Sequence, residues 1–109
     1  MRLHVQADAG DGHVRVLRCE GELDLSSAND LLQAGENAAL QPGVERLVLD
    51  VSGVTFADSS GLNCLIRLNQ IVPVVLSGPL AAQLRRLLQI TGAEQLFPCA
   101  DSVETARTM

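Results

Sequence analysis

The residues of this chain that are best suited to chemistry lie in the segment VTFADSSGLNCLIRL, at 54–68. Asp58, Ser59, Ser60 and Gly61 stand there between an apolar, strand-like run and a helical pattern. Aspartate and serine are preferred at helix starts, because their side-chain oxygens accept hydrogen bonds from free backbone amides. The segment therefore predicts a helix start, and it raises the question of whether one serine is also a chemical switch.

Catalysis by either serine is not expected. An activated serine needs a neighbouring base and a group that stabilises an oxyanion. Ala57 and Asp58 stand where a Gly-x-Ser-x-Gly elbow would need a glycine, and both histidines, His4 and His13, fall in the first predicted hairpin. The spaced glycines and lysine of a phosphate-binding loop are missing too, since the chain has no lysine. We therefore expect a protein that is not an enzyme and has no cofactor.

The composition limits the classes of partner. The chain has 109 residues, with 2% aromatic residues and a formal net charge of −5. This length corresponds to about one domain, so residues 1–109 are expected to share one aliphatic core. A negative chain is not attracted to nucleic-acid phosphates or anionic membranes, and few rings are present to stack on bases. No apolar run approaches the ~20 residues of a membrane helix. We expect neither nucleic acid nor a membrane as partner.

The cysteines indicate a reducing compartment. Cys19, Cys64 and Cys99 are odd in number and far apart, so they are expected to be small core residues rather than a disulfide framework. The first residues, MRLH, lead into an alternating pattern, and no secretion signal is expected. No close pair of cysteine or histidine residues suggests a metal site. A cytoplasmic location is therefore expected.

The apolar pattern predicts elements in the order β-β-α-β-α-β-α-β-α. Turn-forming residues at 8–12 separate the first two strands, which indicates a hairpin. The predicted strands cover 2–7, 13–19, 45–51, 71–77 and 94–99. Four helices are predicted from their start signals. The first begins at a cap, Ser26 or Ser27, and the second begins at the DSSG motif. The third has Pro79 at its first helical position, and the fourth begins with a capping box of Asp101 and Glu104.

This order predicts an α/β fold, because strand–helix–strand units make parallel neighbours and the hairpin adds one antiparallel strand. The Ser59 loop is expected at the carboxyl end of a central strand. Gly35 costs a helix about 1 kcal/mol relative to alanine, so we expect it to allow close packing on the sheet. Pro73 is expected near a strand start, and Gly92 is expected to end the third helix.

Four segments, in order, carry a resemblance to a known family. They are GELDLSSA at 21–28, LVLDVSGVTFADSSGL at 47–62, VVLSGP at 74–79 and RRLLQITGAEQLFPCADSVETA at 85–106. Together they resemble the STAS family of bacterial anti-sigma factor antagonists over nearly the whole chain. The resemblance implies a single STAS domain with a mixed, mostly parallel sheet of about five strands and about four helices.

The resemblance implies a phosphorylation switch. In this family the serine directly after the aspartate is phosphorylated, and that position here is Ser59. The kinase is the anti-sigma factor itself, a serine kinase that sequesters a sigma factor. The unmodified antagonist binds this kinase and frees the sigma factor, and phosphorylation ends the binding. A phosphatase of the PP2C type then restores the antagonist.

Other motif residues have two possible roles each. In the family, the aspartate of the GELD turn, here Asp24, lies beside the phosphorylated serine and helps present it; alternatively, Asp24 only leads into the helix at Ser26. Ser60 is expected to be a cap. Gly61 either allows a partner's backbone to approach or packs within the chain. Asp58 belongs to the same partner-binding set.

One feature departs from the family, since the segment 61–77 is short. The second helix is therefore expected to have about two to three turns and to end by about Gln70. Other functions stay open. STAS domains also serve, without phosphorylation, as scaffolds in stressosome-like assemblies and as small subunits of lipid-transport systems. A small-molecule sensor with a cleft at the strand ends is a third alternative.

Overall fold

The computed structural model describes residues 3–8 and 12–109. The strands are β1 (His4–Asp8), β2 (Val14–Leu23), β3 (Arg46–Ala57), β4 (Val74–Ser77) and β5 (Cys99–Ala100). The α-helices are α1 (Ala28–Ala39), α2 (Ser59–Ile71), α3 (Ala82–Thr91) and α4 (Val103–Arg107), and a 3-10 turn spans Ala93–Gln95. The predicted order of strands and α-helices is confirmed. The predicted turn at 8–12 falls largely on residues outside those that the structure describes. The first residue of the predicted strand 2–7, Arg2, lies outside them too.

The strands form one five-stranded sheet in the order β1-β2-β3-β4-β5. β1 pairs antiparallel with β2, and the other neighbours pair parallel, as predicted. Parallel pairing brings the carboxyl ends of β2 and β3 to the same edge, where Leu23 is the register partner of Ala57. The segments that follow these two strands therefore begin side by side.

The sheet is covered on both faces by aliphatic side chains. On one face, buried leucines of α1, α2 and α3 pack with Leu17, Leu49 and Leu76 of the sheet. On the other face, the short α4 packs Ala106 against valines of β2, β3 and β4, such as Val48. Within the described residues, no helix is both long and apolar enough to cross a membrane.

Gly35 packs on a helix, and the prediction that it packs on the sheet is wrong. A Cβ at this position would lie 2.5 Å from Cδ2 of Leu68 in α2. Leu68 is itself fully buried, so it has little room to move. The glycine therefore allows α1 and α2 to approach each other closely, which supports the helix that carries the DSSG motif.

Two strands are longer than predicted. β2 continues past residue 19 to Leu23, and β3 continues past residue 51 to Ala57. The predicted strand at 45–51 leaves residues 54–57 outside a strand, and this part of the prediction is wrong. The cause is the parallel pairing of β2 with β3, which resumes after register shifts and runs to the pair Leu23–Ala57. These backbone hydrogen bonds do not depend on the turn chemistry that the sequence shows there.

The second helix ends at Ile71, one residue beyond the predicted end, and Val72 already has extended backbone. Its 13 residues make somewhat more than the predicted two to three turns. Pro73 directly precedes β4, so the prediction that it lies near a strand start is confirmed, whereas the strand prediction for 71–73 is wrong. The residue before a proline is disfavoured in helical backbone, which explains why the helix stops at this point.

The third helix begins later than predicted. Its N-cap is Ala81, so Pro79 lies before the helix and is not its first residue. Between β4 and this helix the chain passes Gly78, which has a φ of +134° and would place a Cβ 2.8 Å from the Ser52 nitrogen. Gly92 caps the carboxyl end with a φ of +75°, as predicted.

The carboxyl-terminal part holds two further corrections. The strand predicted at 94–99 is a 3-10 turn followed by irregular chain, and β5 has only 2 residues. The last helix is capped by Ser102, whose hydroxyl accepts a hydrogen bond from the Thr105 amide at 3.2 Å. The predicted cap at Asp101 is therefore wrong by one residue, and the cap bond is made by Ser102.

The cysteines differ in exposure, and this difference gives a testable prediction. Cys19 and Cys64 are buried as expected, whereas Cys99 is exposed. Burial raises the pKa of the Cys19 and Cys64 thiols to about 12, so both stay protonated at mildly alkaline pH. A thiol reagent is expected to label Cys99 in the folded protein and the other two only after unfolding, which mass spectrometry of the labelled peptides measures. Equal labelling of Cys19 in the folded protein would contradict this burial.

Candidate functional site

The DSSG motif lies at the carboxyl edge of the sheet, directly after β3. The Asp58 amide donates a hydrogen bond to the Leu23 carbonyl at 3.1 Å, which joins the end of β2 to the start of α2. Ser59 is the first residue of α2 and is exposed. The prediction that the Ser59 loop lies at the end of a central strand is confirmed.

Asp58 caps the helix. Its backbone is extended, and its Oδ1 accepts a hydrogen bond from the Gly61 amide at 3.0 Å. Its own carbonyl accepts from the Leu62 amide at 3.0 Å, which is the first intrahelical bond. Ser60, which was expected to be the cap, occupies the second helical position instead. The reason is geometric, because only the residue before the first helical one can reach the third helical amide in this way.

The Ser59 hydroxyl is not used by the fold. Among the residues that the structure describes, it makes no hydrogen bond, and its side chain is exposed to solvent. Because Asp58 caps the helix, the Ser59 hydroxyl is not needed as a cap. It is therefore accessible to a modifying enzyme.

Asp24 organises the turn between β2 and α1. Its Oδ1 accepts hydrogen bonds from the Ser26 amide at 3.0 Å and the Ser26 hydroxyl at 2.7 Å. The hydrogen bond from the Ser26 hydroxyl is the main cause that lowers the pKa of Asp24 below its usual value. Ser27 stands at the N-cap position of α1, but its hydroxyl makes no cap bond and donates to the Glu22 carbonyl at 2.7 Å. Ser27 therefore occupies the predicted cap position, but neither serine side chain makes a cap bond, and both stabilise the turn instead.

The two aspartates of the motifs share one surface. Asp24, Leu25, Ser26 and Asp58 line a shallow open depression next to Ser59. Leu25 is 79% exposed although it is apolar, so the depression has an apolar rim beside two carboxylates. The sequence signal for Asp24 was the GELD turn, and the structure places this residue beside the DSSG motif. A second groove begins at Ser60 and runs between α1 and α2.

Gly61 packs against its own chain. A Cβ at this position would lie 2.6 Å from both the carbonyl oxygen and the Cγ of Leu23. Gly61 is buried, so of the two roles considered for it, internal packing has structural support. The glycine lets the first turn of α2 lie directly on the end of β2.

One residue at this site was missed by sequence reasoning. The side-chain amide of Gln83 in α3 makes two hydrogen bonds with the backbone of Ala57, the last residue of β3. Its Oε1 accepts from the Ala57 amide at 2.8 Å, and its Nε2 donates to the Ala57 carbonyl at 2.6 Å. A single glutamine on a helix carries no pattern that could have identified this contact.

Metal chemistry has no support at this site. In the described ranges, 3–8 and 12–109, no three His, Cys, Asp or Glu residues are grouped so that they could hold a metal ion. The depression beside the motif is lined by the carboxylates of Asp24 and Asp58, the Ser26 hydroxyl and the apolar Leu25. Such a surface is suited to recognition by another molecule.

Comparison with known proteins decides the family. The family model of the STAS domain matches residues 5–106. This chain belongs to the STAS domain family. It is 29% identical, over 96 residues, to a STAS-domain containing protein of Pseudomonas aeruginosa, an alignment that covers 82% of this chain and 90% of that protein.

Solved structures of STAS proteins share this fold. An anti-sigma factor antagonist from Mycobacterium paratuberculosis is 29% identical, with a TM-score of 0.81 and coverage of 97% of this chain and 92% of that chain. The Bacillus cell fate determinant SpoIIAA in its phosphorylated form is 20% identical, with a TM-score of 0.70. That alignment covers 94% of this chain and 96% of the SpoIIAA chain. This STAS domain therefore has the fold of the anti-sigma factor antagonists.

Proposed function

We propose that this STAS domain is an anti-sigma factor antagonist that is switched off by phosphorylation of Ser59. Unmodified, it binds a serine-kinase anti-sigma factor and frees the sigma factor; a PP2C-type phosphatase restores it. It acts in the cytoplasm as a binding partner and a kinase substrate, and not as an enzyme. The observation that carries the proposal is the exposed Ser59 hydroxyl, which starts α2 directly after the capping Asp58.

The relatives support this assignment. The Mycobacterium paratuberculosis protein, at 29% identity, is an anti-sigma factor antagonist. SpoIIAA has been solved in both an unphosphorylated and a phosphorylated form, and both share the fold. A protein of this fold can therefore carry phosphate and stay folded.

The position of Ser59 is suited to a phosphate. A phosphoserine carries about −1.5 to −2 charges at neutral pH. At the N-terminus of α2 the helix dipole and the first backbone amides favour an anion. The Gly61 and Leu62 amides already bond Asp58, so within the described residues the amides of Ser59 and Ser60 are the first-turn donors that remain for the new group. Phosphorylation is therefore compatible with the fold.

The same charge opposes docking. Asp58 is adjacent to Ser59, and Asp24 lines the depression beside it. A phosphate there adds to two carboxylates, and a partner that covers the depression must remove water from all three groups. Leu25 and Phe56, which are 79% and 39% exposed, provide apolar surface near this site for such a partner. Phosphorylation thus weakens binding without unfolding the domain.

Mass spectrometry of the protein purified from its host tests the proposal. Phosphate is expected on Ser59, and the kinase is expected to co-purify with the unmodified protein but not with the phosphorylated form. If Ser59 carries no phosphate under any growth condition while a partner stays bound, the switch is wrong. An unmodified scaffold or an accessory subunit would then be the better assignment.

A further inference from the structure

We propose that Gln83 is a positioning residue for Ser59, because its side-chain amide holds the end of β3 and thereby sets where α2 begins. This inference rests on the proposed phosphorylation of Ser59, and it assigns a role to a residue of α3 that lies outside the motif. It predicts that the kinase needs Gln83 although Gln83 neither caps α2 nor belongs to the depression.

The sheet leaves the end of β3 open on one side. β4 stops at Ser77, whose register partner is Asp50, while β3 continues to Ala57. In a parallel ladder the amide and the carbonyl of one residue point to the same side. The Asp58 amide bonds Leu23 of β2, so the polar groups of Ala57 point to the side where β4 is missing.

Gln83 replaces the missing strand at this position. Its side-chain amide offers one donor and one acceptor in one plane, as a backbone peptide does. The donor Nε2 bonds the Ala57 carbonyl at 2.6 Å, and the acceptor Oε1 receives the Ala57 amide at 2.8 Å. Gln83 is itself held in place, because Leu84 and Leu88 of the same helix are 0% and 2% exposed in the core. A rigid helix therefore holds Ala57 through two hydrogen bonds.

Holding Ala57 also restrains Ser59, because only Asp58 separates the two residues in the chain. Ala57 directly precedes Asp58, whose amide bonds the Leu23 carbonyl and whose carboxylate caps α2. With Ala57 held by Gln83 on one side and Asp58 held by Leu23 on the other, the direction of the first turn of α2 is determined. Loss of the Gln83 contact frees one of these two restraints, so the Ser59 hydroxyl samples a wider range of positions.

The test uses Gln83→Met, which keeps the length and the packing of the side chain but removes both hydrogen bonds. The control is Asn69→Ala, which removes a similar bond, from the Val74 amide to the Asn69 side chain at 2.9 Å. That bond lies at the opposite end of the sheet, at the start of β4. Both variants lose side-chain bonds to the backbone, and only the first is expected to affect Ser59.

Amide hydrogen exchange tests the restraint directly. In Gln83→Met the Ala57 amide is expected to exchange about tenfold faster, while the Leu49 amide in the core is unchanged. Asn69→Ala is expected to leave the Ala57 amide as in the wild type. An unchanged Ala57 amide in Gln83→Met would overturn the inference, whatever happens at Ser59.

Kinetics with the kinase purified from the host tests the positioning role. Gln83→Met is expected to lower kcat for phosphate transfer by about tenfold with little change in KM, because the hydroxyl is misplaced while the docking surface remains. Asn69→Ala is expected to keep the wild-type kcat even if its melting temperature falls as far as that of Gln83→Met. Equal kcat values for Gln83→Met and wild type would overturn the inference. A wild type that accepts no phosphate at Ser59 would instead refute the proposed function, and hydrogen exchange alone would then show whether Gln83 orders the helix start.

Discussion

Ser59→Asp is expected to weaken binding to the anti-sigma factor kinase by about 30–150-fold, which corresponds to about 2–3 kcal/mol. The new carboxylate stands next to Asp58 and beside the depression that Asp24 lines. A docked partner must desolvate these like charges together. The fold is expected to survive, because an acidic residue is favourable in the first turn of a helix. Calorimetric titration measures the binding, and thermal melting measures the fold.

Ser59→Ala and Ser60→Ala are the matched controls. Ser59→Ala is expected to bind like the wild type and to accept no phosphate, whereas Ser60→Ala is still phosphorylated. Since Asp58 and not Ser59 caps α2, Ser59→Ala is expected to melt near the wild-type temperature. Phosphorylation of Ser59→Ala would show that the modified residue is a different one. Wild-type affinity in Ser59→Asp would contradict the charge mechanism and favour an unmodified scaffold.

Gly61→Ala is expected to destabilise the domain by about 1–3 kcal/mol. The added Cβ would lie 2.6 Å from the Leu23 carbonyl oxygen. This oxygen belongs to the backbone of β2 and accepts the hydrogen bond from the Asp58 amide, so it cannot move without breaking that bond. The higher helix propensity of alanine offsets about 1 kcal/mol of the clash. Thermal melting is expected to show a decrease of roughly 10 °C.

Gly12→Ala is the control for this prediction. A Cβ at Gly12 would meet nothing within 4 Å, so the same substitution is expected to leave the melting temperature nearly unchanged. If Gly61→Ala has the same melting temperature as Gly12→Ala, the contact between α2 and β2 adjusts to the added Cβ without loss of stability. Gly61 would then have no packing role.

Local patterns predicted the helices better than the strands. The buried face of α1 includes Leu31, Leu32 and Gly35, which follow one another in the sequence at the spacing of one helix face. The strand ends were wrong, because pairing with a neighbour and not local sequence determines where a strand stops. β2 and β3 support each other as far as Leu23 and Ala57, although turn-forming and polar residues interrupt both segments.

The candidate site was predicted in part. The DSSG motif correctly indicated a helix start, because aspartate and serine oxygens suit free amides wherever a helix begins. It did not show which residue is the cap, since that depends on where β3 releases the chain. The structure gives the cap to Asp58 and thereby leaves the Ser59 hydroxyl exposed.

The sequence by itself determined the order of elements and the aliphatic core, since periodicity and residue type act locally along the chain. Only the tertiary structure decided that Gly61 packs against Leu23 and that Gln83 bonds Ala57. Each of these contacts joins residues that are distant in sequence. They exist because parallel strands end at one edge of the sheet and because β3 extends beyond β4. Both facts follow from strand register, which no single segment of the sequence encodes.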